Sequence, residues 1–177
     1  MQAAAPGTDE LIRLAARGDE SAFELLIRPH LQPGFRLAIT LLGDPTAAED
    51  AVQEATFKAW RHLGRLRPGT AMRPWFLTVV ANQCRSERRS RWWGVLRGLE
   101  RREEVVPAPD LSGWDLKRAL LGLKSEDRAA LFLRFYEDLT LAEVASVLGV
   151  SMTATRSRIH RALRRMRADL DAEVDEA

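Results

Sequence analysis

Residues 140–167 read TLAEVASVLGVSMTATRSRIHRALRRMR, and this stretch decides the architecture. Thr140 stands where a helix N-cap is wanted, and Glu143 three residues on completes a capping box. The helix that follows is apolar through Val144, Val147 and Leu148 and stops at Gly149. Ser151 then caps a second helix. Met152, Thr155, Ile159, Ala162, Leu163 and Met166 recur in it at steps of three and four, which predicts one packing face. The opposite face carries Thr153, Arg156, Ser157, His160, Arg161 and Arg164. Between Arg156 and Arg167 there are six arginines, one histidine and no acid. Two short helices joined by a tight turn, the second basic on its outer side, form a helix-turn-helix shaped to lie in a DNA major groove. A solvated basic helix on an unrelated domain is the plainer alternative.

Working outward, the charge is segregated. The net charge of the 177 residues is only +2. Yet residues 1–55 hold nine acids against four arginines, and residues 85–102 hold seven arginines against two glutamates. Residues 168–177 carry five acids and no base. Two basic blocks separated in sequence predict two contacts with a polyanion, beside an acidic surface for another partner.

Everything ordered reads as helix, and the predicted class is all-α. Thr8 to Ala16 is a short helix, and a second begins near Asp19. Pro29 and Pro33 lie inside that second helix, which otherwise reaches Leu42, so a kink or break is expected there. Asp44-Pro45 is a helix start with Asp as cap and Pro in the first turn. That helix runs to about Leu63, with Ala48, Val52, Ala55, Ala59, Trp60 and either Thr56 or Phe57 directed inward. A loop over residues 64–72 centres on Pro68-Gly69, and Pro74 opens a helix to about Arg89. From 91 to 113, glycines and prolines punctuate charge, which is a linker composition. The predicted organisation is two small helical domains, 8–90 and 114–172, joined by a flexible linker at 91–113, with the helix-turn-helix in the second.

Other chemistry has little to work with. No nucleophile motif or glycine-rich phosphate loop is present, so no enzyme activity or cofactor is expected. His30, His62 and His160 are scattered, and Cys84 is the only cysteine, so no metal site or intramolecular disulfide is expected. Cys84 reads as a small buried residue. No apolar run nears the ~20 residues needed to span a bilayer, and no signal-peptide pattern opens the chain. No membrane insertion and a cytoplasmic setting are therefore expected.

Three segments together resemble a known family. LLGDPTAAEDAVQEATFKAW at 41–60 resembles the core-binding segment of extracytoplasmic-function (ECF) sigma factors. RPWFLTVVANQCRSERR at 73–89 resembles their promoter-melting helix, and 140–167 resembles their reader of the upstream element. The resemblance covers almost the whole chain, in the family's order. It implies an alternative sigma factor that binds core RNA polymerase at its clamp and flap regions and recognises the −35 and −10 promoter elements. It also implies contact with double- and single-stranded promoter DNA, and control by an anti-sigma factor.

Carried onto this sequence, the core-binding residues are Glu49, Asp50, Gln53 and Glu54, an acidic-polar stripe at steps of three and four. The −10 residues are Arg67, Thr70, Met72, Arg73, Asn82, Arg85, Arg88 and Arg89. The −35 residues are Thr153, Arg156, Ser157, His160 and Arg161, with Arg158 and Arg164 as phosphate clamps. Two places depart from the family's usual pattern. The loop Arg67-Pro-Gly-Thr-Ala-Met-Arg73 replaces a Gly-Ser or Asp-Ser type, and Thr153 stands where glycine is common. Trp75 is assigned to the core, whereas Trp92-Trp93 suit either single-stranded nucleic acid or a hydrophobic plug on the first domain. The rival reading is a stand-alone dimeric helix-turn-helix regulator, which leaves the acidic stripe and the Arg85–Arg89 block unexplained.

Overall fold

The computed structural model describes residues 7–67, 69–96 and 120–175. The helix expected to end near Arg89 continues to Leu96, so the first six residues assigned to the linker, Trp92 and Trp93 among them, are helical instead; the rest of the 91–113 assignment and the start of the second domain at 114 lie outside the described residues. The described residues are helical with no strand. The helices are α1 (Thr8–Ala16), α2 (Glu20–Leu42), α3 (Pro45–His62), α4 (Met72–Leu96), α5 (Ser125–Leu131), α6 (Leu141–Leu148) and α7 (Met152–Asp175). A short 3-10 turn, Leu63–Arg65, follows α3, and a wider π turn, Phe132–Tyr136, follows α5.

The ends of these helices are set by local chemistry. Asp19 accepts from the Ala22 amide at 2.9 Å and Asp44 from the Ala47 amide at 3.0 Å, so each satisfies an otherwise unpaired N–H of the first turn. The capping box forms: the Glu143 amide donates to Thr140 Oγ1, and the Thr140 amide donates to Glu143 Oε2 at 2.8 Å. Ser151 Oγ accepts from the Ala154 amide at 3.1 Å. Gly43 and Gly149 end α2 and α6 in the left-handed conformation, with φ of 71° and 64°.

The expected break at Pro29 and Pro33 is corrected: α2 is continuous through both. A proline removes the N–H that would pair with the carbonyl four residues earlier. Those carbonyls belong to Leu25 and Pro29, both on exposed residues, so water can serve them at little cost. The inward side of α2 is unaffected. Leu26, Ile27, Leu37, Ala38, Leu41 and Leu42 are buried against α3 and α4.

Gly34 fixes how closely α2 approaches α4. A Cβ there would stand 3.0 Å from Phe76 Cε1 and 3.3 Å from Val80 Cγ2, tighter than ordinary packing. One continuous apolar cluster then runs from α2, α3 and α4 into the C-terminal half, through Ala129, Ala130, Leu133, Val144, Val147, Leu148 and Ile159. A second, smaller cluster of Ala15, Ala22, Leu26, Leu63 and Met72 ties α1 to the loop before α4. The two halves are packed together: α4 lies against α6, and α2 against α5.

Candidate nucleic-acid and partner interfaces

On α7, Thr155, Ile159 and Ala162 are buried and Met166 is half-buried, which is the expected packing face. Met152 and Leu163 leave that face: they are 52% and 43% exposed. Met152 belongs to the first turn and Leu163 lies one step beside the Ile159–Ala162 line, so periodicity alone placed them too generously. Thr153, Arg156, Ser157, His160, Arg161 and Arg164 are all exposed on the outer side. Arg158 differs. Its Nη1 is 2.8 Å from Glu126 Oε2 and its Nε is 3.6 Å from Asp127 Oδ1, both at the start of α5, and its side chain is largely covered. Arg158 braces α7 against α5 in this arrangement, whereas the other side chains face outward.

On α4 the arrangement is reversed. Arg85 donates from Nη1 to the carbonyls of Leu148 at 3.0 Å and Val147 at 3.4 Å, and from Nη2 to Asn82 Oδ1. The two carbonyls lie at the C-terminal end of α6, where the helix dipole is negative and carbonyls lack helical partners. Burial pulls the Arg85 guanidinium below its ordinary pKa, with Glu126 among the opposing influences. Arg88 Nη1 lies 3.6 Å from Glu126 Oε1, so one carboxylate faces α4 and α7 together. Arg89 is exposed.

Arg73, at the start of α4, pairs with Glu137 just beyond the π turn. Its Nη2 is 2.8 Å from Glu137 Oε2, at an angle that leaves that oxygen without an aligned hydrogen bond, and its Nη1 donates to the Glu137 carbonyl at 3.3 Å. Glu137 is only 2% exposed, and burial pushes its carboxyl above the ordinary range against the pull of Arg73 and Arg36. Arg36 completes the group: it bonds the Tyr136 hydroxyl and lies 5.1 Å from that ring's centre. The π turn carries Glu137 to this position, with its amide donating to the Phe132 carbonyl at 3.0 Å. Asp138 then takes a left-handed φ of 52°, unusual for a residue other than glycine.

The loop before α4 is held by a turn: Thr70 donates through its amide (3.1 Å) and hydroxyl (2.7 Å) to the Arg67 carbonyl. Gly69 has φ of 76°, and its amide reaches Asp9 Oδ1 at 3.4 Å. Arg67 is exposed and Thr70 partly so, whereas Met72 is buried with Leu63 and Leu26. Met72 thus anchors the loop; its side chain presents no surface to a base. Trp75 is half-buried against the core, as expected.

The stripe on α3 is exposed at Glu49, Asp50, Gln53 and Glu54, with Glu54 3.5 Å from Lys58. Beside it runs a feature the sequence reading missed. An open groove of about 750 Å³ between α2 and α3 is floored by Phe23, Leu31, Phe35, Val52, Phe57 and Trp60, with Glu49 and Gln53 among its lining residues. Of the two candidates for an inward position, Thr56 is half-buried with its hydroxyl bonded to the Val52 carbonyl, whereas Phe57 is 55% exposed. The signal was available: Glu49, Gln53, Phe57 and Arg61 follow one another by fours, and Arg61 lies 5.7 Å from the Phe57 ring centre. An aromatic floor beside carboxylates suits a partner presenting both cationic and apolar side chains.

Cys84 is fully buried on α4, and burial pushes its thiol up to about 12. His30 is half-buried, and burial followed by the nearby Arg73 charge lowers its pKa. Among the described residues no helix is long and apolar enough to cross a membrane.

The family models for Sigma-70 region 2 and Sigma-70 region 4 match residues 26–94 and 114–166. The ECF RNA polymerase sigma factor SigL of Mycobacterium tuberculosis is 31% identical over 166 residues, covering 88% of this chain and 93% of the relative. The chain belongs to the ECF sigma factors. SigE of Mycolicibacterium smegmatis is 33% identical over 165 residues, and the match covers 86% of this chain but 64% of that factor's length. In three dimensions the chain is similar to the sigma factor RpoE of Bartonella quintana, solved with the anti-sigma factor NepR. The TM-score is 0.73 at 27% identity, covering 84% of this chain and 96% of that one. For this sigma factor, α2 to α4 fall within the region 2 match save residues 20–25 of α2 and the end of α4, and α5 to α7 within region 4 save the end of α7.

Proposed function

We propose that this sigma factor directs core RNA polymerase to promoters through three surfaces on separate helices. The α3 stripe of Glu49, Asp50, Gln53 and Glu54, together with the aromatic groove beside it, takes the polymerase clamp. The flap region engages the C-terminal half. The exposed face of α7, led by Arg156, His160 and Arg161, reads the −35 duplex and Arg164 holds a phosphate, while Arg158, expected as a second clamp, braces α7 on Glu126 and Asp127 instead. The turn at Arg67–Thr70 and the α4 residues Arg73, Asn82, Arg85, Arg88 and Arg89 take the −10 element as it melts, using arginine for phosphate and Asn82 for a base edge.

The domain division that goes with this is 8–90 for polymerase binding and −10 melting, 91–113 as linker, and 114–172 for −35 reading. Each domain binds weakly alone, and the polymerase sets the spacing at which both engage. The protein acts in the cytoplasm, carries no catalytic site of its own, and is held in check by an anti-sigma partner, as the RpoE–NepR pair suggests.

The observation that carries the proposal is the placement of an acidic-aromatic face and two basic helices on distinct elements of a chain matching both sigma regions in order. Gel filtration with core polymerase tests it. The native chain is expected to co-elute, and an Asp50→Arg/Glu54→Arg variant of unchanged helicity is expected not to. Failure of the native chain to co-elute, together with specific binding to a palindromic duplex, would replace this reading by a stand-alone regulator.

A further inference from the structure

Helix α1 precedes the region 2 match, which begins at residue 26, yet it is joined to the loop assigned to the −10 element. Its main neighbours are α2 and the 3-10 turn Leu63–Arg65 that leads into that loop. Three kinds of contact make the join. Near the start of α1, Asp9 Oδ1 accepts from the Gly69 amide at 3.4 Å. Near its end, Ala16 Cβ lies 3.8 Å from where a Cβ on Gly64 would stand, so the two segments approach closely. Between these points Ala15 is buried in one apolar cluster with Leu63 and Met72, and Leu11, Ile12 and Leu66 pack against it. The loop is therefore held at its entry by Leu63, at its tip by Gly69 and at its exit by Met72. Gly69 lies within the turn that Thr70 closes on the Arg67 carbonyl, so the Asp9 bond reaches the turn itself and not only its flanks.

We infer that α1 is a positioning element for the −10 loop, and that Asp9 sets the placement of the Arg67–Thr70 turn and with it the choice of base. The inference rests on the reading of that turn as the place where an unstacked −10 base is taken. Discrimination between bases needs donors and acceptors held to within about 0.5 Å, which a loop reaches only when a rigid element supports it. A turn with a glycine in the left-handed conformation has little stiffness of its own. A packed helix bonded to that glycine supplies it. Asp9 also occupies the Gly69 amide, which leaves the side chains of Arg67 and Thr70 to face the strand. Asp9 touches no DNA in this scheme; it acts through the turn.

The test is run-off transcription with core polymerase from templates randomised in both promoter elements, comparing the native chain with Asp9→Ala, Asp9→Asn and Glu10→Ala. Glu10 pairs with Arg13 on the same helix, so its replacement removes the same charge without touching the loop. Asp9→Ala is expected to flatten the preference at one −10 position about three- to fivefold, the worth of one hydrogen bond. Its −35 preference and its co-elution with core polymerase are expected to stay native. Asp9→Asn keeps an oxygen acceptor for the Gly69 amide and is expected to restore the native preference. A helix that only stabilised the fold would lower the yield from all promoters alike and leave sequence preference untouched. That result, or equal −10 preference in Asp9→Ala and Glu10→Ala, overturns the inference.

Ile12→Ser provides a second break, because it loosens α1 from the Leu63–Met72 cluster without changing charge, and circular dichroism checks that each variant is folded. It is expected to flatten the same −10 position, and an unchanged preference counts against the brace. The native reactions separate this inference from the functional reading. If the native chain starts no transcription, the sigma reading falls and the brace falls with it. If the native chain is active and both Asp9→Ala and Ile12→Ser keep its −10 preference, only the brace falls.

Discussion

Helices α4 and α7 carry similar basic residues and have opposite surroundings. On α7 the outward arginines meet no acid among the described residues, and the inward Arg158 braces the helix on Glu126 and Asp127. On α4, Arg73 and Arg85 bond to the C-terminal half and Arg88 faces Glu126, although of the four arginines Arg73, Arg85, Arg88 and Arg89 only Arg85 is half-buried and the others are exposed. The contrast fits the two tasks proposed for these helices: a duplex is read by a rigid face presented in advance, whereas a melted strand exists only after polymerase has engaged. Arginine content alone therefore does not distinguish an open face from one engaged within the protein; the position of the neighbouring acids and carbonyls does.

The largest test of this contrast is thiol chemistry. The Cys84 side chain on α4 is buried and its pKa lies at about 12, whereas a Ser157→Cys thiol on the outer face of α7 would ionise near ~8.5. At pH 8, iodoacetamide is expected to modify the introduced thiol about a thousandfold faster than Cys84, as followed by mass spectrometry. Comparable rates would mean that α4 is not packed as described. The sign of the linkage follows too. Cys84 favours the fold fully below its ordinary pKa of 9.0, and that contribution is lost between 9.0 and about 12 as the pH rises.

Next in size, Arg156→Ala on the open face is expected to weaken duplex promoter binding by about 1–3 kcal/mol and to relax preference at one base position. Arg158→Ala is expected to loosen α7 from α5 and lower the melting temperature, with a smaller loss of sequence preference. Binding selection on randomised duplexes, paired with thermal denaturation, distinguishes the two. If Arg158→Ala relaxed preference more than Arg156→Ala, the inward and outward roles would be exchanged.

Gly34→Ala perturbs the seat of α4. The added methyl meets Phe76 at 3.0 Å and Val80 at 3.3 Å, so these side chains must give by a few tenths of an ångström in a packed core, and a loss of about 1–3 kcal/mol is expected in urea titration, with α7's duplex affinity little changed. The smallest effect belongs to the cap of the helix-turn-helix. Thr140→Ala removes an acceptor for the Glu143 amide and is expected to cost about 1 kcal/mol, confined to the C-terminal half. Hydrogen exchange that rose equally in α2 and α3 would show that the halves unfold as one body.

Much of the fold was legible because it is written locally. Asp19, Asp44, Thr140 and Ser151 each satisfy an amide three residues on, and such signals need no knowledge of distant chain. The exposed set on α7 and the acidic stripe on α3 were legible for the same reason, since both follow from helical spacing. The misses share a different cause. Pro29 and Pro33 were over-weighted because their cost depends on which side of α2 faces water. The choice between Thr56 and Phe57 stayed open because an aromatic residue reads as core until the groove beside it is known. Arg158 and Arg85 could not be assigned partners, because Glu126 and the α6 carbonyls reach them only through long-range packing.

The most direct measurement is run-off transcription from a library of randomised promoters, using core polymerase with the native chain, with Asp50→Arg/Glu54→Arg, and with no added factor. New start sites are expected only with the native chain, and the enriched templates should carry two separated elements at fixed spacing. Native-chain reactions that yield no start sites beyond those of core polymerase would contradict the account.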